Sequence, residues 1–166
     1  IQPFSAISYK KQGIKGKAGY YFYDATCKLK YIVDEKNKLY LSFYGGQDQN
    51  YTKLKALNAD VDTLKQGNSN NYLKWGNATL SLRWNRIYNS KTFSNFTLAY
   101  TQYSFGTGSS YNNNNDDDPY SALFSYNSTI RDAFFKQDFD WYLNPQSTIK
   151  FGSVQSVKFY SPNVNI

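Results

Sequence analysis

The stretch "RDAFFKQDFDW", Arg131 to Trp141, holds Asp132, Lys136, Asp138 and Asp140 at even spacing. On an extended chain that spacing puts all four side chains on one face. Two carboxylates about 5 to 9.5 Å apart can hydrolyse a glycosidic bond, one as acid and one as nucleophile or base. No second catalytic strand or active-site motif accompanies them, so the same residues read more simply as hydrated wall charges paired across neighbouring strands. Asp116, Asp117 and Asp118 could offer oxygens to calcium, but no EF-hand spacing surrounds them and a solvated loop is the simpler reading. The chain has no histidine, which removes Ser-His-Asp, Cys-His and histidine-zinc chemistry. Its one cysteine, Cys27, cannot form an internal disulfide. The expectation is a protein that is not an enzyme and uses neither metal nor cofactor.

The formal net charge is +7, with Lys10, Lys11, Lys15 and Lys17 gathered in one glycine-containing stretch. Basic charge with abundant aromatics can mark nucleic-acid binding by stacking and phosphate contacts. Here most other basic residues are dispersed and no aromatic–Gly–aromatic motif is present, so a solvated loop is expected and a nucleic-acid partner is not. Aromatics make up 19% of the 166 residues while the hydrophobic fraction is only 40%, an odd mixture for a packed core. No apolar run approaches the roughly 20 residues of a membrane-spanning helix. Strands that cross a membrane need only about 10 residues of alternation, and these stay open. The opening "IQPFSAIS" shows no leader pattern, which suggests a mature chain or a piece of a longer one. Asn-X-Thr triplets at Asn50, Asn77, Asn95 and Asn127 are expected by chance in a chain so rich in these residues.

Alternation supplies the elements that would carry these residues. Tyr21, Tyr23, Ala25, Cys27, Leu29, Tyr31 and Val33 alternate with Asp24, Thr26, Lys28 and Lys30, and a short turn follows at Asp34 to Lys38. Leu39, Leu41 and Phe43 then face away from Tyr40, Ser42 and Tyr44, before a long polar loop from about Gln47 to Tyr72. Part of that loop, Thr52 to Leu64, has the pattern of a short helix. Gly76, Ala78, Leu80, Leu82 and Trp84 oppose Asn77, Thr79, Ser81, Arg83 and Asn85, with a turn at Asn89 to Lys91. In the returning strand Phe96, Leu98 and Tyr100 compete with Ala99, Tyr103 and Phe105 for the apolar face. A second long loop covers Gly106 to Ala122. Ala133, Phe135, Gln137, Phe139 and Trp141 then oppose the charged set, and the turn at Asn144 to Gln146 leads into Ile149, Phe151, Val157 and Phe159. With "FSAISY" joined through a Lys10 to Gly19 loop, the reading is about seven antiparallel strands.

Three features make lipid the expected neighbour of the apolar faces. These faces read as free of charge, while Asp24, Lys28, Lys30, Arg83, Asp132, Lys136, Asp138 and Asp140 fall opposite. The strands read as about 10 to 14 residues, longer than a typical globular strand of ~5–6. Tyr31, Trp84, Tyr88, Phe93, Trp141, Tyr142 and Phe151 gather near the short turns, as in an interfacial girdle. Short turns at one rim and long polar loops at the other match an outer-membrane barrel. The alternative is a soluble carbohydrate-binding β-sandwich, whose two sheets would meet through their apolar faces.

"GYYFYDATCKLKYIVDEKNKLYLSFYGGQDQ" and "LKWGNATLSLRWNRIYNSKTFSNFTLAYTQY" resemble barrel segments of TonB-dependent outer-membrane receptors of the Bacteroidetes type. Trp75-Gly76-Asn77 with Arg83-Trp84-Asn85 is the most specific part, and the similarity runs from about Gly19 to Gly152. "IRDAFFKQDFDWYLNPQSTIKFG" looks like the next hairpin; Ser147 stands near the place where the family often has a histidine after Asn-Pro. The resemblance implies an all-β fold, residues 1–166 forming part of an antiparallel transmembrane β-barrel of about twenty-two strands, with the plug domain and remaining strands outside this sequence. It implies uptake of a scarce nutrient (siderophore, cobalamin, glycan or peptide) across the bacterial outer membrane. The implied partners are outer-membrane lipid, the receptor's own plug, TonB through that plug, and in some members a surface lipoprotein. Lumen-facing candidates toward nutrient or plug are Asp24, Lys28, Arg83, Asp132, Lys136, Asp138 and Asp140.

Overall fold

The computed structural model describes residues 5–11, 14–56, 67–113 and 120–166. They form one antiparallel sheet of seven strands in sequential order. The strands are β1 (Ser5–Lys11), β2 (Ile14–Ile32), β3 (Asn37–Ala56), β4 (Gly67–Asn89), β5 (Thr92–Asn113), β6 (Tyr120–Asn144) and β7 (Ser147–Asn165). The sheet is a single open layer: β1 and β7 are its two edges, and among the described residues they do not pair with each other. A sandwich needs a second sheet over the apolar face, and the described residues supply none.

All three short turns use the same device. Each begins with an Asp or Asn whose side-chain oxygen accepts the backbone N–H two residues on: Asp34 from Lys36 at 2.7 Å, Asn89 from Lys91 at 2.9 Å, Asn144 from Gln146 at 3.0 Å. Asn37 adds a brace in the first turn. Its amide donates to Asp34, and its side-chain oxygen accepts the Trp84 indole N–H at 3.1 Å. Because the sheet is a meander, these turns share one end. The strand ends Lys11, Ile14, Ala56, Gly67, Asn113 and Tyr120 share the other.

The strands are far longer than their apolar patterns, at 19 to 25 residues from β2 to β7. This corrects the expected loops. Most of Gln47 to Tyr72 is strand, since β3 runs to Ala56 and β4 starts at Gly67; Gly106 to Asn113 and Tyr120 to Ala122 are likewise strand. The Lys10 to Gly19 segment is a hairpin of β1 and β2. The expected helix fails over Thr52–Ala56, which extends β3, and its remainder lies outside the described residues, as do Asp116, Asp117 and Asp118. The reason is physical. Alternation disappears from a sequence once both faces of a strand meet water, but the backbone ladder continues, supported here by Tyr and Thr. Helix and loop readings of such polar stretches miss this.

Register makes two continuous faces. Leu29 pairs Leu41, Leu41 pairs Leu82, Leu82 pairs Leu98, and Leu98 pairs Phe135. The same row ends at Gln155 in β7. In β5 the pairing puts Phe96, Leu98 and Tyr100 on the apolar face and Ala99, Tyr103 and Phe105 on the other. The apolar face is uncovered: Leu29 is 60% exposed, Leu98 58% and Leu82 44%. Toward the short turns it carries an aromatic ladder across four strands, Trp84–Phe96 (ring centroids 5.5 Å apart), Phe96–Phe139 (5.7 Å) and Phe139–Phe151 (5.1 Å). Phe93 and Tyr142, also expected in this girdle, stack on the opposite face instead.

Candidate functional site

The apolar band has definite edges. Below it, Arg86 shares a row with Asn37 and Ser94 and lies over the Trp84 ring at 5.4 Å and the Tyr88 ring at 4.9 Å. Above it, the row Ala25–Gly45–Ala78–Gln102–Arg131 turns polar. Arg86 and Arg131 therefore stand at the borders of a face expected to carry no charge, and Lys74 with further lysines of β1 to β3 lies on the same face beyond the upper border. The edge rows are eight residues apart along β4, about 26 Å of strand at ~3.3 Å per residue. A strand tilted by about 40° spans ~20 Å in that length, near the height of a transmembrane barrel's apolar band. Beyond the upper edge comes a second aromatic belt, in which Tyr51 and Tyr72, expected in a long loop, join Tyr21 and Tyr23. Tyr51 and Tyr72 share a row with Gly19 and Gly108, and a side chain at either glycine would collide with those rings. Across the band's upper edge, the small residues Ala25, Gly45, Gly76 and Ala78 leave a shallow trough of about 580 Å³.

The opposite face holds every strand carboxylate of the described residues: Asp24, Asp48, Asp132, Asp138 and Asp140. All seven sequence candidates project from it, but not as one cluster. Asp140 pairs with Lys150 at 3.4 Å and Asp132 with Lys158 at 3.8 Å, both between β6 and β7, while Lys136 and Asp138 pair along β6 at 2.9 Å. Arg83 lies over the Tyr40 ring at 4.6 Å. Lys28 stands beside Ser42 in the next strand. Asp132 keeps one oxygen, Oδ1, buried without a hydrogen-bond partner. Carboxylates paired with lysines in this way suit a charged wall.

Asp24 has a different setting. Gly46, its partner in β3, leaves a notch of about 230 Å³ walled by Phe22, Tyr44, Trp75 and Tyr103, with Asp24, Asp48 and Asn77 at its edges. A side chain at Gly46 would press on Asp24 Cβ at 3.2 Å and on the Tyr44 hydroxyl at 3.2 Å. The Tyr20 hydroxyl donates to Asp48 Oδ1, and this bond, more than burial or the carboxylate's charge, holds the phenol above its usual pKa. Flat aromatic walls with carboxylate and amide edges can stack against a ring-shaped ligand while accepting its hydroxyl or amine protons. Phe22, Asp48 and Tyr103 escaped sequence reasoning. The available signal was the row Phe22–Asp48–Trp75–Phe105, visible only once register is known.

The chain matches no protein-family model and no curated protein.

Proposed function

We propose that this chain is a wall segment of an outer-membrane β-barrel transporter of the TonB-dependent type, taking a scarce nutrient into the periplasm. In this reading the apolar face meets lipid, and the carboxylate face lines the lumen toward the plug and the nutrient. The observation that carries it is the uncovered apolar band of a single-layered sheet, edged by aromatics at both borders, with all strand carboxylates on the other face. In water, so much exposed Leu, Phe and Val would be a severe aggregation liability. Against lipid it needs no protein cover, and the ladder satisfies the backbone wherever strands pair on both sides. The open edges at β1 and β7 would pair with further strands of a closed barrel.

The long strands fit this reading. Only the apolar part of each is needed to cross the bilayer, and the two-sided polar remainder would stand above it, toward the strand ends at Ala56, Gly67, Asn113 and Tyr120. The notch at Gly46 would then lie on the lumenal wall just above the membrane's outer edge, where an incoming ligand first meets the barrel. Charges paired along β6 and β7 would give the lower lumen a hydrated surface against which a plug can seat.

The test is fractionation of cells expressing the full-length polypeptide that contains this chain. The protein should sediment with the outer membrane, require detergent for extraction, and run with heat-dependent mobility in gels. Recovery as a monodisperse species in detergent-free buffer would overturn the reading.

A further inference from the structure

The notch at Gly46 is a gap in an otherwise filled face. On the carboxylate face, Asp24 and Asn77 flank the glycine across the strands, and Tyr44 and Asp48 flank it along β3. Phe22 and Trp75 stand on the diagonals, one on each side of Asp48. The Tyr44 hydroxyl, the Asp24 Cβ and the Tyr23 carbonyl oxygen each lie 3.2 Å from the place a Cβ at Gly46 would take. With no side chain in the middle, a space of about 230 Å³ remains. Pockets for whole small molecules run to roughly 300–1,000 Å³, so this one takes a single ring or terminal group of a larger ligand.

Charge says which group. Above the row of Lys28, β2 to β5 place no lysine or arginine on this face, and the charged side chains there are Asp24 and Asp48. The lysines of the same strand halves cluster on the other face, with Lys15 paired to Lys55 and Lys17 to Lys53. The carboxylates of β6 each have a lysine beside them. Those of the notch do not. Among the described residues the Asp24 side chain makes no hydrogen bond or ion pair, and Asp48 engages only Oδ1, with the Tyr20 hydroxyl.

Asp24 and Asp48 are diagonal neighbours across β2 and β3, a separation of ~7–8 Å between backbones. An ammonium group over Gly46 can bridge that gap with one N–H···O bond of ~2.8 Å to each carboxylate. The aromatic faces around it add cation–π attraction, and a flat body attached to the ammonium stacks on Trp75 or Phe22. A neutral ring gains the stacking but leaves the two like charges uncompensated, and an anionic one adds to their repulsion.

We infer that the notch binds a protonated amine carried on a ring, with Asp24 and Asp48 accepting its N–H protons and Phe22, Tyr44, Trp75 and Tyr103 enclosing its body. The notch needs only β2 to β5 in register. That it meets an incoming nutrient rests on the transport reading above, in which this face lines the lumen.

The experiment titrates the full-length polypeptide, in neutral-detergent micelles, with benzylamine, benzyl alcohol and benzoate, probes of similar size that differ in charge. Binding is read by saturation-transfer NMR. Charge-assisted hydrogen bonds are worth on the order of a factor of ten, so benzylamine should bind at least about tenfold more tightly than benzyl alcohol, and benzoate should not compete. The variant D24N/D48N keeps the shape of both side chains and an acceptor for Tyr20, so it should fold like the parent and bind benzylamine about tenfold or more weakly. The control D138N/D140N removes the same charge from the same face, beside lysines, and should bind like the parent. Benzyl alcohol binding as tightly as benzylamine overturns the amine assignment. No benzylamine binding by the parent, an unchanged D24N/D48N, or an equal loss in the control overturns the site. Recovery of the parent in detergent-free buffer overturns the transport reading instead and leaves the comparison of probes standing, so the two failures are distinguished.

Discussion

Leu82 stands midway in the apolar band, four residues from Arg86 at one edge and four from Ala78 at the other. In the proposed barrel that is about 13 Å of strand to either polar row, or ~10 Å along the membrane normal at a tilt of about 40°. An arginine at this position can shorten the distance to water by snorkelling but not close it. Leu82→Arg should therefore cost about 2 to 4 kcal/mol, the midplane value for a lipid-facing charge. Ala78→Arg, on the same face and strand but in the edge row, should cost only about 0 to 1 kcal/mol. Thr79→Arg points to the other face, in a row that contains Asp132, and should also cost less than about 1 kcal/mol. A protein core would punish Leu82→Arg as well, so Leu82→Phe is the deciding change. Lipid chains rearrange around the larger ring, and a loss below about 0.5 kcal/mol is expected; a packed core resists the added volume by roughly 1 to 3 kcal/mol. The assay is denaturant unfolding of the full-length polypeptide in phospholipid vesicles. A clear loss for Leu82→Phe, or equal losses for Ala78→Arg and Leu82→Arg, would refute the depth argument.

The first turn should respond to acid. The Asn37 side-chain amide, the Lys36 N–H and the Asn37 N–H all bond the Asp34 carboxylate and hold its pKa below the usual value. A carboxyl depressed in the folded state stabilises the turn fully above its unfolded pKa and loses that support as pH falls through the folded one. Amide protection at Lys36 and Asn37 should therefore fall below about pH 4 in the parent but not in Asp34→Asn, which keeps the oxygen acceptor; identical pH profiles would sink the idea. Gly152→Ala should destabilise by about 1 to 3 kcal/mol in the same unfolding assay, because the new Cβ would lie 2.2 Å from the Gln137 carbonyl oxygen; a neutral effect would mean that β7 moves freely on β6. On intact cells, a surface label should reach a cysteine placed at Lys55 or Asn112 but not one placed at Gln146. Labelling at Gln146 from outside would invert the topology.

Alternation and turn chemistry were enough to find seven strands and three tight turns from sequence. Side chains on a pleated strand must point alternately to two environments, and Asp34, Asn89 and Asn144 each close a turn through an oxygen two residues from its donor. The same local rules ran out where both faces become polar, so the outer halves of β3 to β6 read as loops. They also could not decide β5, whose two faces are nearly equal in apolar content until pairing with β4 and β6 places Leu98 between Leu82 and Phe135. Pairing alone brought Lys15 beside Lys55, and Phe22, Asp48 and Trp75 into one row. Such neighbours are tens of residues apart in sequence and meet only through register, which is a property of the whole sheet. The strand pattern was therefore written in the sequence. The basic cluster and the notch at Gly46 were decided by tertiary structure, because each is assembled from side chains on three or more strands.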